Sequence, residues 1–193
     1  MACPFHCEKH NPPRSLPFMQ NYRRHLPHWQ PDGAEFFVTW RLHGSLPAGH
    51  TGADFVTVDR ELERGIGPRW MQDPRVANCV METLIESEQT WKLCTLSAWV
   101  VMPNHVHALL HPVQKLSKVM LVIKSASARR ANRLLERSGQ RFWPDESFDH
   151  WVRDGHERNR IIRYIEWNPV KAALVVAPEN WPWSSASRTG STA

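Results

Sequence analysis

The sequence predicts an α+β fold, in which helices cover an antiparallel sheet. Short aromatic and β-branched segments are interleaved with segments of helical periodicity. Two of the strand segments are separated only by a short turn, which favours an antiparallel hairpin. The chain has 193 residues, of which 41% are hydrophobic and 22% charged, as expected for one globular domain with short extensions.

The predicted domain spans residues 31–186. Residues 1–30 are rich in proline, histidine and arginine and have no periodicity, so we expect a basic arm there, and residues 187–193 form a short tail. No apolar run approaches the ~20 residues of a membrane span. The N-terminal sequence is too polar and proline-rich for a signal peptide, so a cytoplasmic location is expected.

The first half of the domain is predicted to hold one strand and two helices. EFFVTWRLHG, residues 35–44, is aromatic, β-branched and closed by glycine, which predicts a strand. Residues 54–66 predict a short helix. In residues 74–89 apolar side chains recur at helical spacing after a proline, which predicts a longer helix.

The second half is predicted to hold a hairpin and two helices. Residues 90–103 and 105–112 are predicted strands, with Pro103-Asn104 supplying the turn between them. A basic helix is expected over 116–137. An aromatic turn, RFWPDESFDHWVRD, then leads to a last helix in GHERNRIIRYIEWNP, whose isoleucines define its buried side. The order of these elements, including one hairpin, predicts an antiparallel sheet covered by helices.

The positive charge of the chain is concentrated in one segment. Residues 114–141 contain eight basic residues and one acid, so their net charge of +7 exceeds the +5 of the whole chain. On the predicted helix an apolar inner face opposes an arginine stripe. The inner face comprises Leu116, Met120, Ile123 and Leu134, and the stripe comprises Arg129, Arg133 and Arg137. This distribution favours a nucleic acid as partner.

The four cysteines, Cys3, Cys7, Cys79 and Cys94, are too few and too scattered for a disulfide framework. The N-terminal CPFHCEKH brings Cys3, His6, Cys7 and His10 close together in sequence. A zinc site is conceivable there, but structural zinc sites usually draw their ligands from two separated pairs. An unstructured tail therefore remains the favoured interpretation of this cluster.

The stretch WVVMPNHVHALLH contains two histidines, His105 and His107, in an otherwise apolar strand. Residues two apart share one face of a strand, so both imidazoles are expected to point at the same place. Two neutral imidazoles can hold one divalent metal ion. Alternatively, both histidines lie on a half-exposed strand and are satisfied by ordinary hydrogen bonds.

The last predicted helix carries a candidate nucleophile. Tyr164 is one of only two tyrosines, and Asn168 lies four residues later, on the same helix face. A tyrosine hydroxyl can attack a phosphorus centre when a nearby metal activates the target. Two structural interpretations stay open: Tyr164 packs on the sheet, and Asn168, which precedes a proline, caps a short following helix.

These segments together resemble the REP-associated tyrosine transposases, which are single-tyrosine HUH endonucleases. The resemblance rests on MPNHVH, a basic helix, then RIIRYIEWNPVKAALV about sixty residues after the first histidine, and finally WPWSSA. It runs from about residue 27 to about residue 186. The chain differs from the common pattern at Trp167 and Ala173, and neither position belongs to the implied site.

The resemblance implies a ferredoxin-like sheet and specific roles for four residues. His105, His107 and Asn168 match the metal ligands, and Tyr164 matches the nucleophile. The implied activity is cleavage and rejoining of single-stranded DNA at hairpins of REP type, through a 5′-phosphotyrosine link. The implied ion is Mg²⁺ or Mn²⁺, although imidazole ligands alone would favour zinc.

DNA contacts are expected from the basic helix and from the segment before the tyrosine helix. Phosphate contacts of this kind position DNA without reading its sequence. The expected contact residues are Lys124, Arg129, Arg130, Arg133 and Arg153. Either a monomer or a homodimer is compatible with the sequence. Two other functions stay open: a catalytically silent DNA- or RNA-binding module, and a metal-dependent nuclease that uses water.

Overall fold

The computed structural model describes residues 33–46, 55–64 and 67–189. The N-terminal arm and the CPFHCEKH cluster lie outside these residues. The strands are β1 Phe36–Arg41, β2 Cys94–Val101, β3 His105–Pro112 and β4 Phe148–Trp151. The helices are α1 Phe55–Arg64, α2 Pro74–Gln89, α3 Leu116–Leu134, α4 Gly155–Lys171 and α5 Ala186–Thr189. None of the helices in the described ranges is both long and apolar enough to span a bilayer.

The four strands form one antiparallel sheet in the order β2-β3-β1-β4. The predicted α+β class is therefore confirmed, and the hairpin of β2 and β3 is present. β4 was not predicted, because its four residues lie in a segment that carries turn signals. It forms because it pairs with the edge of β1, with Phe36 opposite Trp151.

The alternation of side chains divides the core between the two faces of the sheet. One face, represented by Val38, Val106 and Leu110, packs against α2 and α3. The other face, represented by Phe37 and Leu109, packs against the isoleucines of α4. The basic helix α3 and the tyrosine helix α4 therefore lie on opposite sides of one sheet.

Helix α3 is shorter than the sequence predicts, but three of its four predicted inner residues, Leu116, Met120 and Ile123, are buried as expected. It ends at Leu134, whose side chain is 41% exposed, so the predicted inner position of Leu134 is wrong. The helix instead buries residues of its earlier turns together with Ala131. Arg137, predicted to belong to the outer stripe, lies beyond the helix and stacks over Trp70, with the guanidinium carbon 3.6 Å from the ring centre.

Helix α4 begins at a capped position and continues through a proline. The Asp154 carboxylate accepts a hydrogen bond of 2.8 Å from the backbone N–H of Glu157, which satisfies a free donor of the first turn. The helix does not stop before Pro169 but runs on to Lys171. The interpretation of Asn168 as the cap of a following helix is therefore wrong, because Asn168 lies inside the helix that carries Tyr164.

Candidate metal centre and nucleophile

The two histidines of β3 lie on the sheet face that α4 covers. β3 is an interior strand, with β2 on one side and β1 on the other, and its register places His107 opposite Thr39. Both imidazoles are buried, and their ring centres are 4.6 Å apart. The structure confirms the prediction that the two rings lie beside each other on one face of β3. They are fully buried in the sheet interior, so the alternative of a half-exposed pair is wrong.

Each histidine is held through its Nδ1 atom. His105 Nδ1 lies 2.7 Å from Asn104 Oδ1, and the amide nitrogen of Asn104 donates to the carbonyl oxygen of Leu62 on α1. That arrangement makes His105 Nδ1 the donor, which leaves a lone pair on Nε2. His107 Nδ1 lies 2.7 Å from Thr39 Oγ1. Hydrogen bonds of this kind fix the ring orientation of metal-binding histidines.

A carboxylate from α1 completes the cluster, and the sequence analysis did not identify it. Asp59, His105 and His107 offer ligand atoms that all lie within 4.8 Å of one another, and all three residues are buried. The Asp59 Oδ1 atom is 3.5 Å from His107 Nε2. The available signal was a pair of acids four residues apart, Asp59 and Glu63, in a predicted helix. Nothing in that spacing indicates which element the acids face.

Asp59 also contacts the candidate nucleophile. The Tyr164 hydroxyl donates a hydrogen bond to Asp59 Oδ2. The tyrosine ring packs edge-on against Phe37 and lies 5.5 Å, between ring centres, from His107. One carboxylate therefore has one oxygen towards the histidines and the other towards the tyrosine.

The electrostatic balance keeps the histidine neutral and the tyrosine protonated. Burial, together with the neighbouring His107, lowers the pKa of His105 to about 3. Burial and the adjacent Asp59 charge raise the pKa of Tyr164 well above its ordinary value, whereas the nearby Asn168 amide lowers it weakly. Burial alone would raise the pKa of Asp59, but His107 and Lys171 hold it well below its usual range. The site thus combines a neutral imidazole with a charged carboxylate.

Asn168 lies one turn beyond Tyr164 on the same face of α4. Its side chain is buried, and neither its amide oxygen nor its nitrogen makes a hydrogen bond of normal geometry with any residue in the described ranges. Asp59 Oδ1 and His105 Nε2 are likewise buried without a hydrogen bond there. Buried polar atoms normally have partners, so these unsatisfied atoms need one.

The donor set fits a divalent cation. Two imidazole nitrogens and a carboxylate oxygen meet there, which combines ligands that suit zinc with a ligand that suits Mg²⁺ or Mn²⁺. His105 Nε2 and Asp59 Oδ1, which are buried without a hydrogen bond to a described residue, are placed to coordinate such a cation. A cation would also balance the negative charge that Asp59 carries in a buried position.

Comparisons with known proteins agree with this architecture. The model of the family described as "Transposase IS200 like" matches residues 71–168, which is just over half of the chain. This chain belongs to the IS200-like transposase family. The comparison with curated protein sequences gives no match.

Two solved structures resemble this IS200-like transposase. One is described as the REP-associated tyrosine transposase bound to a REP hairpin; it is 19% identical, with a TM-score of 0.57, and the match covers 90% of this chain and 87% of that one. That match supports the fold. The other, a candidate transposase from Deinococcus radiodurans R1, is 21% identical, with a TM-score of 0.37, and covers 68% of this chain and 88% of that one.

The predicted DNA-binding residues of this IS200-like transposase differ in their contacts and exposure. Arg130 makes a two-bond ion pair with Glu86 on α2, with N–O distances of 2.9 and 2.7 Å. The Lys124 ammonium donates to the carbonyl oxygen of Asp145. Arg129 and Arg133 are exposed on α3.

Arg153 is also exposed and lies against the ring of Trp151 on β4. The arginines of α3 lie across the sheet from the histidine pair, because α3 packs on the opposite face. A groove of about 1700 Å³ lies on that same side, lined in part by Lys115, Lys124 and Arg141. It contains none of the histidine, aspartate or tyrosine side chains of the cluster.

Proposed function

We propose that this IS200-like transposase is a metal-dependent endonuclease and strand transferase that cuts and rejoins single-stranded DNA beside hairpins of REP type. The observation that carries the proposal is the contact between Tyr164 and the histidine cluster through Asp59. A nucleophile and a candidate cation site meet in one buried place, as tyrosine-mediated phosphoryl transfer requires.

The chemistry exchanges one phosphodiester bond for another. The Tyr164 oxygen attacks the scissile phosphorus in line, a bond forms between them, and the bond from phosphorus to the 3′ oxygen breaks. Asp59 Oδ2 orients the phenolic hydroxyl through its hydrogen bond, the phenolic proton is lost to solvent, and the departing 3′ oxygen takes a proton from solvent. The products are a 5′-phosphotyrosine link and a free 3′-OH.

The covalent link explains why a tyrosine suits this reaction better than water. Hydrolysis would release the 5′ phosphate, whereas the tyrosine ester keeps a phosphodiester that a second 3′-OH can attack. Strand joining then needs no nucleotide cofactor. Tyr164 contacts Asp59 of its own chain, which supports cutting in cis.

The proposed ligands are His105, His107, Asp59 and Asn168, and the proposed ion is Mg²⁺ or Mn²⁺. A divalent cation held there would polarise the scissile phosphate and offset the Asp59 charge that raises the pKa of Tyr164. Asn104 and Thr39 orient the imidazoles towards the centre. Asn168 and Tyr164 approach from α4, on the opposite side of the site from β3.

Two observations support a hairpin as the substrate. A protein of the same fold has been solved with a REP hairpin bound. The segment 114–141 carries a net charge of +7, and its exposed arginines lie across the sheet from Tyr164. We infer that α3 holds the phosphates of the hairpin stem, while the strand that is cut passes over the α4 side.

The test is a denaturing gel with labelled single-stranded DNA that carries the hairpins flanking the protein's own gene, in Mn²⁺. Tyr164→Phe is compared with the native sequence, and Tyr22→Phe, which changes the only other tyrosine, is the matched control. We expect a covalent protein–DNA band from the native protein and from Tyr22→Phe, and none from Tyr164→Phe.

The other outcomes identify the alternatives. Cutting without an adduct by every variant would mean that water is the nucleophile. DNA binding without cutting by the native protein would mean a silent binding module. Either result would rule out the tyrosine mechanism.

A further inference from the structure

Among the described residues, the side chains of the cluster are buried, whereas two charged neighbours are partly exposed. Tyr164 is 2% exposed, and the histidines and Asp59 are buried as well. The neighbouring Lys171 and Glu63 side chains are 23% and 24% exposed. A DNA strand that approaches Tyr164 over α4 would therefore meet this pair at the edge of the cluster.

Lys171 is positioned on the nucleophile's own helix face. It lies seven residues after Tyr164 in α4, so the two residues share one side of the helix. The Lys171 ammonium is 2.5 Å from Glu63 Oε1 and 3.5 Å from Asp59 Oδ2, and it is 5.4 Å from the centre of the Tyr164 ring. Asp59 Oδ2 is the same oxygen that accepts the tyrosine hydroxyl.

The two carboxylates thus lie beside the Lys171 ammonium, where another anion near Tyr164 would also bind. Glu63 and Asp59 lie on one face of α1, four residues apart, and both approach the same ammonium. A phosphodiester oxygen is negatively charged, as a carboxylate oxygen is, and therefore also favours a position beside an ammonium. Lysine binds phosphates as a compact, adaptable point charge. Glu63 is 24% exposed whereas Asp59 is buried, so Glu63 is the carboxylate that a phosphate can replace more readily.

We propose that Lys171 binds a backbone phosphate of the substrate strand next to the scissile bond, and that Glu63 holds this ammonium until the phosphate replaces it. The inference rests on the proposed function, because it assumes a single-stranded DNA substrate. It adds a positioning residue that neither the histidine motif nor the tyrosine identifies. Lys171 sets where the strand enters, and Tyr164 performs the attack.

A purely structural ion pair makes a different prediction. If the contact between Lys171 and Glu63 only fastens α1 to α4, removal of either charge loosens the same contact, and both changes act in the same direction. If Lys171 binds phosphate, removal of Lys171 weakens DNA binding, whereas removal of Glu63 releases the ammonium and strengthens it. The result that distinguishes the two explanations is a change in DNA affinity of opposite sign when Lys171 and Glu63 are replaced one at a time.

The experiment measures binding of a labelled hairpin with a single-stranded tail, in a chelating buffer so that no cutting occurs, over a range of salt concentrations. We expect Lys171→Gln to weaken binding about fivefold and to reduce the salt slope by about 0.7, the value for one phosphate contact on a single strand. Glu63→Gln should tighten binding, and Lys171→Arg should stay close to native. Lys92→Gln, at an exposed position just before β2, is the control for loss of a lysine elsewhere.

The native protein and the control separate the possible failures. If the native protein binds the hairpin and Lys171→Gln binds it with the same affinity and the same salt slope, the role of Lys171 is overturned and the proposed function is left intact. Parallel losses of affinity in Lys171→Gln and Glu63→Gln, with parallel drops in melting temperature, assign the pair to structure and also overturn it. Absence of DNA binding by the native protein would overturn the proposed function together with this inference.

Discussion

The hydroxyl of Tyr164 donates a hydrogen bond to the carboxylate of Asp59, and this contact joins α4 to α1 at the centre of the candidate site. The other oxygen of the same carboxylate lies 3.5 Å from His107. Asp59 therefore connects the two halves of the proposed chemistry, the cation site and the nucleophile.

Replacement of Asp59 by asparagine should lower the affinity for Mn²⁺ at least about tenfold. The change removes a charged ligand but keeps the size of the side chain, and even the loss of supporting groups costs 10–100-fold at metal sites. Isothermal titration of Mn²⁺ measures the effect. Glu61→Gln, on the same helix but paired with Arg64, is the control. Unchanged Mn²⁺ affinity in Asp59→Asn would show that this carboxylate is no ligand.

Asn168→Ala should also lower the Mn²⁺ affinity, by about tenfold, and should leave DNA binding in chelator unchanged. The reason is that the buried amide makes no hydrogen bond of normal geometry with the described residues, so its removal disturbs few contacts besides the cation. The same titration, together with a DNA-binding assay, measures both properties. If Mn²⁺ affinity is retained and stability falls, Asn168 acts only as a core residue.

The orientation of the imidazoles gives a third prediction. Thr39→Val keeps the shape of the side chain but removes the hydroxyl that faces His107 Nδ1, and Asn104→Ala removes the acceptor of His105 Nδ1. Each change should reduce Mn²⁺ affinity about tenfold or more, because the ring orientation is no longer fixed. Titration of both variants at matched protein stability tests this. Native affinity in both would mean that strand geometry alone holds the rings.

Stability of the metal-free protein should fall as the pH falls below about 6.5. His105 has a pKa of about 3 when folded and about 6.5 when unfolded, so the unfolded chain binds the extra proton. Its contribution is complete above about pH 6.5 and is lost progressively towards pH 3, by up to about 1.4 kcal/mol per pH unit.

Urea unfolding in chelator at about pH 7 and about pH 5 measures this loss. His105→Gln should show a smaller difference between the two values of pH than the native protein, because its side chain does not titrate. Equal differences in both proteins would contradict the assignment to His105.

Charge reversal on α3 gives a prediction that separates the two faces of the sheet. Arg133→Glu should weaken hairpin binding and reduce its salt dependence, because the exposed guanidinium is expected to contact phosphate. Mn²⁺ affinity should stay native, because the helix lies across the sheet from the histidines. Binding assays at several salt concentrations test the first part and titration the second. An unchanged salt slope would identify α3 as an ordinary solvated surface.

The sequence predicts those parts of the site that depend on local periodicity. The spacing of two between His105 and His107 places both rings on one strand face, and the spacing of four between Tyr164 and Asn168 places both on one helix face. Asp59 could not be found in this way. Its role depends on which side chains α1 meets across the fold, and helical periodicity says nothing about a partner more than a hundred residues away in the chain.

The errors have a related cause. Leu134 was expected inside because it continues an apolar spacing, but α3 ends there and its last turn is not covered. Pro169 was expected to end a helix, since it lacks the N–H that would bond the carbonyl oxygen of Ile165. Burial of Ile165 and of Pro169 itself compensates for that loss, and the helix continues. At both positions the surroundings in the fold, and not the local sequence pattern, decide the outcome.

The interior position of β3 has a consequence for the histidine motif itself. Because β3 is paired on both sides, a slip of one residue would have to break two ladders at once, and it would put Val106 and Ala108 in place of the imidazoles. The single residue between the histidines thus points to the opposite face of the sheet, and the two histidines point to the same face. Adjacent histidines would point to opposite faces of the sheet, and so would histidines three residues apart. A pair four apart would share a face but would be separated by roughly twice the distance along the strand. In this fold the spacing in the HxH pattern therefore matters as much as the histidines themselves. A spacing of two residues is the shortest at which one strand can present two imidazoles to a single ion.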